Sequence, residues 1–534
     1  MRLLAILLVL ALAPAGSAQI PYLQDHGSSR QLVVDGRPTL LLGGELGNST
    51  ASSLEYLAPI WPRLQDAGLN AVLAPVYWEL VEPEEGRFDF ALVDGLIQEA
   101  RRHEMRLVLL WFGAWKNSMS SYVPAWVKQD YGRFPRARDS EGRPLEMLTA
   151  FSASNVEADA RAFAALLGHL RRVDGDTHTV LMVQVENEIG MIPSARDHAQ
   201  PALEAYASDV PDALLDYLRS HTLHPRLAAR FKADRRGTWE DVFGPGVETE
   251  EIFMAWHYAQ FVEEVASAGR ETYPLPMYVN AALVRPGHEP GAYPSAGPLP
   301  HLVDVWRAGA PSINFLAPDV YFPNFTEWVT AYHVPGNAVF IPEAGRAGWE
   351  TSSADAFWAF GARDALGYSP FSIEDLPEGD LLAATYDALA SMASLILSHQ
   401  GQDTMTGFRP PVAFDGTVDT APQSVSLGGY RITTTFIDPW TPGDAQHPEN
   451  HGGLLIHEGS GSFLVAGHGL TMTFDDPDSG DWVTGIETAE EGRFVDGQWK
   501  PGRTLNGDQT HQGRHIRLPP GEIGVQRFRL YRYR

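Results

Sequence analysis

The sequence predicts a (β/α)8 barrel followed by a smaller all-β domain. Between about residues 38 and 400, eight short apolar runs alternate with longer helical stretches, the pattern of parallel strands connected by helices. The runs are apolar almost throughout, as expected of strands that are covered on both faces. After about residue 401, runs that alternate or are apolar lie between Gly- and Asp-rich turns, which indicates antiparallel β structure.

Eight strand–helix units favour a closed barrel over an open doubly wound sheet. The predicted strands are Thr39–Gly44, Ala71–Trp78, Arg106–Trp115, Val180–Gly190, Met277–Leu283, Ile313–Phe322, Ala338–Arg346 and Ala365–Asp375. Helical segments between them include Leu54–Ala67, Ala91–His103, Val156–Arg172 and Glu250–Ala268, and Asp380–His399 follows the eighth strand.

The sequence predicts no cofactor and no metal. A dinucleotide-binding sheet needs a Gly-rich fingerprint after its first strand, which the segment Gly43-Gly44-Glu45-Leu46-Gly47 does not match. His221 and His224 have a spacing that suits a metal, but Pro225 follows them and no third ligand is evident. We therefore interpret the two histidines as a solvated surface pair.

The domain boundary is predicted near Gly401–Pro411, where Gly, Pro and polar residues cluster. We expect a barrel over residues 19–400 and an all-β domain over residues 401–534. The β runs of the second domain are Tyr430–Ile437, Gly453–His457, Ser462–Ala466, Thr471–Phe474 and Arg527–Tyr533.

Composition limits the partners of this chain of 534 residues. With 40 Lys and Arg against 67 Asp and Glu, the net charge is −27, which argues against nucleic acid or an anionic membrane as a partner. The chain has no cysteine, so disulfides, thiolate metal sites and cysteine nucleophiles are excluded. A neutral or cationic small partner, or an uncharged polymer, suits this surface. The sequence does not indicate the oligomeric state.

The first 18 residues predict export. A basic start at Arg2, an apolar run over Leu3–Ala13 and small residues at Gly16-Ser17-Ala18 form the pattern of a secretory signal peptide. The run is too short to cross a bilayer. We expect no later segment to be long and apolar enough to cross one either. The mature chain is therefore predicted to be exported, to the periplasm or out of the cell.

Two acidic strand ends are candidates for catalysis. In a (β/α)8 barrel the reacting groups come from the carboxyl ends of the strands. The fourth predicted strand ends in Glu186-Asn187-Glu188 and the seventh contains Glu343. Strict alternation puts Glu186 and Glu188 on one side of the strand, and Glu188 is nearer its end. A carboxyl pair across a cleft is what glycosidic cleavage requires, so we predict Glu188 and Glu343 as catalytic.

The residues around these acids resemble a known family. Gln184 to Gly190 closely resembles the acid/base segment of glycoside hydrolase family 35, the β-galactosidases of a large retaining (β/α)8 clan. Trp78-Glu79, Glu82-Pro83 and the start Gly43-Gly44-Glu45 also resemble this family. The likeness covers most of residues 38 to 400 and is to the bacterial branch with one compact C-terminal β domain. It implies that Glu188 is the general acid/base and Glu343 the nucleophile.

The resemblance also implies roles for neighbouring residues. Asn187 would donate to the sugar 2-OH, and Tyr321 would hydrogen-bond Glu343 and keep it ionised. We also predict Glu45 and Trp78 as substrate contacts, with Trp78 and Trp115 stacking on sugar.

One departure from the family lies after the third strand. Many relatives have an acidic residue beside the tryptophan there, where this chain has Trp115-Lys116-Asn117. We expect Lys116 and Asn117 to contact the sugar instead.

The sequence thus predicts an exported, retaining exo-β-galactosidase that acts on extracellular oligosaccharides. Two alternatives remain open at this point. One is another β-glycosidase of the same clan, such as a β-glucosaminidase or a β-1,4-glycanase. The other is a barrel that binds carbohydrate without catalysis, although binding alone does not need a carboxyl pair.

Overall fold

Eight parallel strands, each hydrogen-bonded to the next in chain order, surround the centre of the molecule. The computed structural model describes residues 19–477, 482–495, 497–505 and 507–534. The predicted signal peptide, residues 1–18, lies outside these described residues. The barrel strands are Leu41–Glu45, Ala71–Tyr77, Arg106–Lys116, Val180–Asn187, Met277–Ala282, Phe315–Val320, a seventh in two parts (Phe340–Ile341 and Glu343–Ala344), and Gly367–Tyr368.

Pro342 divides the seventh strand because a prolyl nitrogen has no hydrogen to donate to a neighbouring strand. Phe340–Ile341 pairs with the eighth strand, whereas Glu343–Ala344 pairs with the sixth. The eighth strand pairs in turn with the first. The ring is therefore closed, and the predicted (β/α)8 barrel is confirmed.

Helices cover the outside of the ring. The predicted helix over 54–67 forms as two short helices, separated at Pro59, which cannot donate a backbone hydrogen bond. The α-helices are Leu54–Leu57, Trp61–Asp66, Trp78–Val81, Ala91–Arg102, Ala125–Gln129, Ala153–Asp174, Gln200–Tyr206, Asp212–Ser220, Pro225–Ala228, Trp239–Phe243, Val247–Thr272, Val303–Gly309, Phe325–Tyr332, Ser352–Arg363 and Leu381–His399.

The last of these helices corrects one expectation. Leu381–His399 is long and apolar enough, by length and composition, to cross a membrane, contrary to the prediction that no such segment follows residue 18. In the structure Leu382, Tyr386 and Leu389 are buried in the core of the barrel. The Tyr386 hydroxyl donates to the carbonyls of Gly43 and Tyr368 at 2.7 and 2.9 Å, so this helix packs as the eighth barrel helix.

A small antiparallel sheet that the sequence did not predict precedes the barrel. Its strands are Tyr22–His26, Ser29–Val34 and Arg37–Thr39. Arg30 donates to the carbonyl oxygen of Asn314, directly before the sixth strand. Gln31 donates to the Gln400 side chain at 3.0 Å. The sheet therefore covers the amino-terminal end of the barrel, opposite the end where the strands carry their acids.

The C-terminal region contains two antiparallel sheets. The larger comprises Met405–Phe408, Gly452–Gly459, Ser462–His468, Gly524–Tyr533, Val483–Val495 and Gln498–Thr504, and the smaller Gln423–Leu427, Tyr430–Thr435, Leu470–Asp475 and Ile516–Leu518. The predicted all-β character of this region is confirmed.

The larger sheet lies directly against the barrel helix Ser352–Arg363. A Cβ atom at Gly407 would lie 2.9 Å from the carbonyl oxygen of Trp358, so only glycine permits this approach. Leu454 and Ile456 of the sheet belong to the same buried cluster as the barrel core. The two regions therefore share apolar packing.

Candidate active site

The two predicted catalytic carboxyls meet at the mouth of the barrel. Glu188 directly follows the fourth strand, and Glu343 begins the second part of the seventh. Both are buried, with exposed fractions of 7% and 3%. One carboxyl oxygen of each lies within 4.8 Å of the other and of an Asp319 oxygen. Two residues that are 155 positions apart thus face a common space, as predicted.

A break in the register between the third and fourth strands places Glu188 at the mouth of the barrel. Trp111 of the third strand pairs with Val185, but Lys116 pairs with Asn187, so five steps on one strand match two on the other. Glu186 and Glu188 accordingly adopt left-handed conformations, with φ of 62° and 46°. The expectation that simple alternation puts both on one side is wrong, because a bulge interrupts the alternation.

Glu186 instead points between the barrel and its helices. Its carboxyl accepts a hydrogen bond from the Trp115 N–H at 2.7 Å and faces the buried carboxyl of Asp159. Burial, followed by the charge of Asp159, raises the pKa of Glu186 well above its usual range. Asp159 accepts from Trp111 Nε1 and from the Ala114 N–H, each at 2.8 Å. Burial and mutual repulsion thus favour a proton shared between the two carboxyls, and their hydrogen bonds hold the segment that precedes Lys116.

Replacing Glu186 by glutamine is expected to stabilise the protein selectively at high pH. A carboxyl whose pKa is raised on folding binds more protons folded than unfolded, so stability falls as pH rises above its unfolded pKa. Glutamine retains a donor toward Asp159 and an acceptor toward Trp115 without this loss. We expect Tm to exceed that of the wild type by about 2–4 °C at pH 9 and to match it at pH 4, measured by scanning calorimetry. A Tm of Glu186→Gln below that of the wild type at both pH values would contradict a proton shared by Glu186 and Asp159.

Within the described part of the chain, two side chains donate hydrogen bonds to Glu343. The Tyr321 hydroxyl donates to its Oε2, and Asn187 Nδ2 donates to its Oε1 at 3.4 Å. Tyr321 directly follows the sixth strand, so the sequence position and the contact agree with the predicted role. A carboxylate that accepts from two such donors is held in one orientation.

Lys116 and Asn117 contact two of the predicted site residues, Asn187 and Glu188. Lys116 Nζ donates to Asn187 Oδ1 at 2.8 Å, and Asn117 Nδ2 donates to Glu188 Oε2. Their polar groups therefore orient Asn187 and Glu188, and the expected contacts of Lys116 and Asn117 with the sugar stay predictions. The Lys116 side chain is 4% exposed, and its charge lies among carboxyls.

Two further buried carboxyls, those of Glu45 and Asp319, lie near Glu188 and Glu343. Glu45, predicted as a substrate contact, has no exposed surface, and among the described residues its oxygens accept no hydrogen bond. Burial, then the charge of Glu343, raises the pKa of Glu45 well above its usual range, against the opposing effect of Lys116. The neutral form of Glu45 is thus favoured by this environment, because a second uncompensated charge beside Glu343 would be costly.

Asp319 was missed in the sequence. It lies in the sixth strand, two residues before Tyr321, and an acid at such a strand end was the signal that could have identified it. Burial, then the charges of Glu343 and Glu188, raises its pKa well above the usual range. Asn280 connects the two acids: it donates to Asp319 at 2.7 Å and accepts from the Glu188 N–H at 3.0 Å.

The environment of Glu188 favours its protonated form. Burial, together with the charge of Glu343, raises the pKa of Glu188 to about 7, while Lys116 acts in the opposite direction. The sequence predicted the repulsion by Glu343, but burial is the larger cause. The three carboxyls Glu188, Asp319 and Glu343 are also close enough to bind a cation. The ammonium, amide and hydroxyl donors already present make a hydrogen-bonded cluster the better description.

Two predicted sugar contacts are corrected. Trp78 and Trp115 have no exposed surface. The Trp115 ring packs edge-on against Phe261 of a barrel helix at 4.5 Å, and Trp78 Nε1 donates to Glu82 at 2.9 Å. Both belong to the packing around the barrel strands. An exposed aromatic ring near the site is instead Trp349, which is 39% exposed and lies 6.4 Å from the Tyr321 ring.

Comparison with known proteins relates part of the chain to β-galactosidases. The model of glycoside hydrolase family 42, described as beta-galactosidase, matches residues 56–265, and a domain of unknown function (DUF5597) matches residues 382–517. A β-galactosidase from Xanthomonas manihotis is 31% identical over 209 residues, which are 37% of this chain and 31% of that protein. The chain thus spans about a third of the length of this curated relative.

Solved structures with similar folds include a β-galactosidase from the psychrophilic Marinomonas ef1, with 13% identity and a TM-score of 0.47 over 67% of this chain and 60% of that one. The catalytic domain of β-amylase from Paenibacillus polymyxa has 10% identity and a TM-score of 0.46 over 65% of this chain and 96% of that one.

The sequence likeness therefore includes Asn187 and Glu188 but not Glu343. The matching model is that of family 42, so the predicted resemblance to family 35 is not confirmed, whereas a likeness to β-galactosidases is.

Proposed function

We propose that this protein is a retaining β-galactosidase in which Glu188 is the general acid/base and Glu343 the nucleophile. The observation that carries the proposal is the opposed pair itself, with carboxyl oxygens within 4.8 Å. Retaining glycosidases have carboxyls about 5–5.5 Å apart, whereas inverting enzymes leave about 6.5–9.5 Å for a water molecule. The short spacing supports direct attack by one carboxylate.

In the first step, Glu343 Oε attacks the anomeric carbon while the glycosidic C–O bond breaks. The proton of Glu188 passes to the departing oxygen, which leaves as an alcohol. Tyr321 and Asn187 orient the attacking carboxylate. Glu188 is suited to the acid role because its pKa of about 7 keeps it largely protonated at mildly acidic pH.

In the second step, Glu188, now ionised, accepts a proton from water as that water attacks the anomeric carbon. The bond to Glu343 breaks, and the sugar is released with its original configuration. Asn187 lies between Lys116 and Glu343, and in the proposed mechanism its amide donates to the sugar 2-OH. Such a contact strengthens as positive charge develops on the ring.

Galactose as the terminal sugar and exo action are the finer parts of the proposal. They are supported by the match of residues 56–265 to the β-galactosidase model and by the resemblance of the strand-four segment. We further propose that residues 1–18 direct export and that the substrates are extracellular oligosaccharides, on the basis of the leader-like sequence.

A panel of nitrophenyl glycosides tests this function. We expect release of nitrophenol from the β-galactoside at a rate at least about tenfold above the β-glucoside, β-glucosaminide and α-galactoside, since a hydroxyl that is mismatched in a polar site is strongly rejected. The first product observed by NMR should be β-galactose. An α-configured first product would exclude double displacement, and activity confined to the β-glucosaminide would favour that alternative.

The pH profile should show the titration of Glu188. Because the acid must be protonated, kcat/KM is expected to fall as pH rises through about 7, the pKa of this group. Glu45 and Asp319 lie in the same cluster, so the observed limb belongs to the coupled group. The limb should disappear in Glu188→Gln, measured with an activated nitrophenyl galactoside. An unchanged basic limb in that variant would remove Glu188 from the acid role.

A further inference from the structure

A cavity of about 300 Å³ lies beside the proposed active site, between the barrel and the β domain. The barrel contributes Val320, Tyr321, Phe322 and Trp349, and the β domain contributes Arg409, Val412, Gly416 and Val418. Tyr321 belongs to both sites, because its hydroxyl donates to Glu343 while its ring forms part of the cavity wall. The cavity therefore adjoins the carboxyl pair, with Tyr321 and Ala344, the residue after Glu343, in its wall.

Two exposed aromatic rings lie at the cavity: Trp349 in its wall, and Phe414 packed against the wall residue Phe322. Trp349 lies edge-to-face with the Tyr321 ring at 6.4 Å. Its indole covers Gly345, where a Cβ atom would lie only 2.4 Å from the ring and where φ is +64°, so glycine is required at this position. Phe414 of the β domain is 40% exposed and lies 5.2 Å from the Phe322 ring. These faces are available to a ligand.

The β-domain side of the cavity is a well-defined turn. The Ala413 N–H donates to the Thr417 carbonyl at 2.8 Å, and the Asp419 N–H donates to Pro411 at 2.9 Å. The fully buried Arg409 anchors the turn to the barrel through its ion pair with Asp355. A turn held in this way presents its side chains without a large ordering cost on binding.

The chemistry of the walls points to an uncharged sugar. Aromatic rings and aliphatic side chains match the apolar faces of a pyranose, while a few polar groups fix its orientation. The charges of Arg409 and Asp355 are already paired with each other, and the remaining carboxyl of the lining, that of Glu449, disfavours an anionic ligand. The net charge of −27 further disfavours an anionic saccharide.

We propose that this cavity is a subsite for a second, neutral sugar of the substrate, on the leaving-group side of the bond that is cleaved. The inference rests on the proposed exo action, because removal of a terminal sugar leaves every other sugar of the chain on that side. The β domain then has a role in substrate selection: residues 409–418 complete a binding site that the barrel alone lacks.

Kinetics with two substrates test the subsite. Trp349→Ala and Phe414→Ala are compared with the wild type on nitrophenyl β-galactoside and on a neutral β-galactosyl trisaccharide. For each variant, we expect the ratio of kcat/KM for the trisaccharide to kcat/KM for the nitrophenyl substrate to fall about tenfold. The fall should come mainly from a higher KM for the trisaccharide. Trp482→Ala is the matched control, since Trp482 is also an exposed tryptophan (42%) and is not part of the cavity; its ratio should not change. An unchanged ratio in Trp349→Ala and Phe414→Ala, whether both substrates lose activity equally or neither does, would overturn the subsite.

Direct binding separates failure of the subsite from failure of the proposed function. The trisaccharide is titrated calorimetrically into Glu343→Gln, with and without Phe414→Ala, after Tm has shown that each variant is folded. We expect Phe414→Ala to weaken binding about tenfold. If the wild-type protein hydrolysed no glycoside but the trisaccharide still bound in a way that depends on Phe414, the proposed function would be contradicted and the subsite would stand. Binding that is indifferent to Phe414 would contradict the subsite alone.

Discussion

Replacement of Glu343 by glutamine is expected to abolish turnover on every glycoside. Glutamine keeps the shape of the side chain and an acceptor for Tyr321, but its amide cannot form the covalent bond to the anomeric carbon. We expect kcat to fall by at least about 10⁴-fold, the scale of losses at catalytic nucleophiles, for good and poor leaving groups alike. Rates are measured with nitrophenyl β-galactoside and a β-galactosyl disaccharide.

The control for this variant is Tyr321→Phe. It removes one hydrogen bond to Glu343 but leaves the nucleophile, so the loss should be smaller, about 10–10³-fold. A Glu343→Gln protein with the Tm of the wild type and more than a few per cent of its activity would exclude Glu343 as the nucleophile.

Replacement of Glu188 by alanine is expected to give a loss that depends on the leaving group. A sugar alcohol must be protonated as it leaves, and general acid catalysis contributes about 10²–10⁴-fold, so kcat/KM for the disaccharide should fall by that amount. A dinitrophenolate leaves without protonation, and its release should be slowed much less in the first step. A plot of log(kcat/KM) against the leaving-group pKa should therefore become steeper in Glu188→Ala.

Asn117→Ala provides the comparison for this variant. Asn117 donates to Glu188 without taking part in bond cleavage. Its removal should change the basic limb of the pH profile more than the leaving-group dependence. Identical losses across all leaving groups in Glu188→Ala would reverse the assignment of the two acids.

The main fold was predictable from the sequence because its signals are local. Each barrel strand is an apolar run such as Leu107–Trp111, and the change to alternating runs after residue 401 marks antiparallel β structure. The positions of Glu188 and Glu343 at the mouth of the barrel were predictable for the same reason. Each adjoins an apolar strand, and barrel topology places the carboxyl ends of all strands on one face. The sheet over 22–39 was missed because its strands are short and only partly apolar.

The roles of the neighbouring residues depended on contacts that composition and spacing do not encode. Lys116 and Trp115 are adjacent in sequence, yet one reaches the catalytic cluster and the other packs against Phe261. Glu186 and Glu188, two positions apart, are separated by the register slip between the third and fourth strands, because such a slip moves a side chain to the opposite face. Alternation along a single strand could not reveal it.

By itself, the sequence determined the barrel, the all-β region and the two opposed acids, because hydrophobic periodicity and strand-end position are properties of short segments. Only the tertiary structure decided which other groups surround those acids. Glu45, Asp319 and Lys116 come from three different strands, and burial near Glu343 raises the pKa of Glu45 and that of Asp319. The cavity that Trp349 and Arg409 share likewise exists only after the barrel and the β domain have packed together. Electrostatic environment and cavities are set by distances between segments that are remote in the chain, and those distances arise from packing.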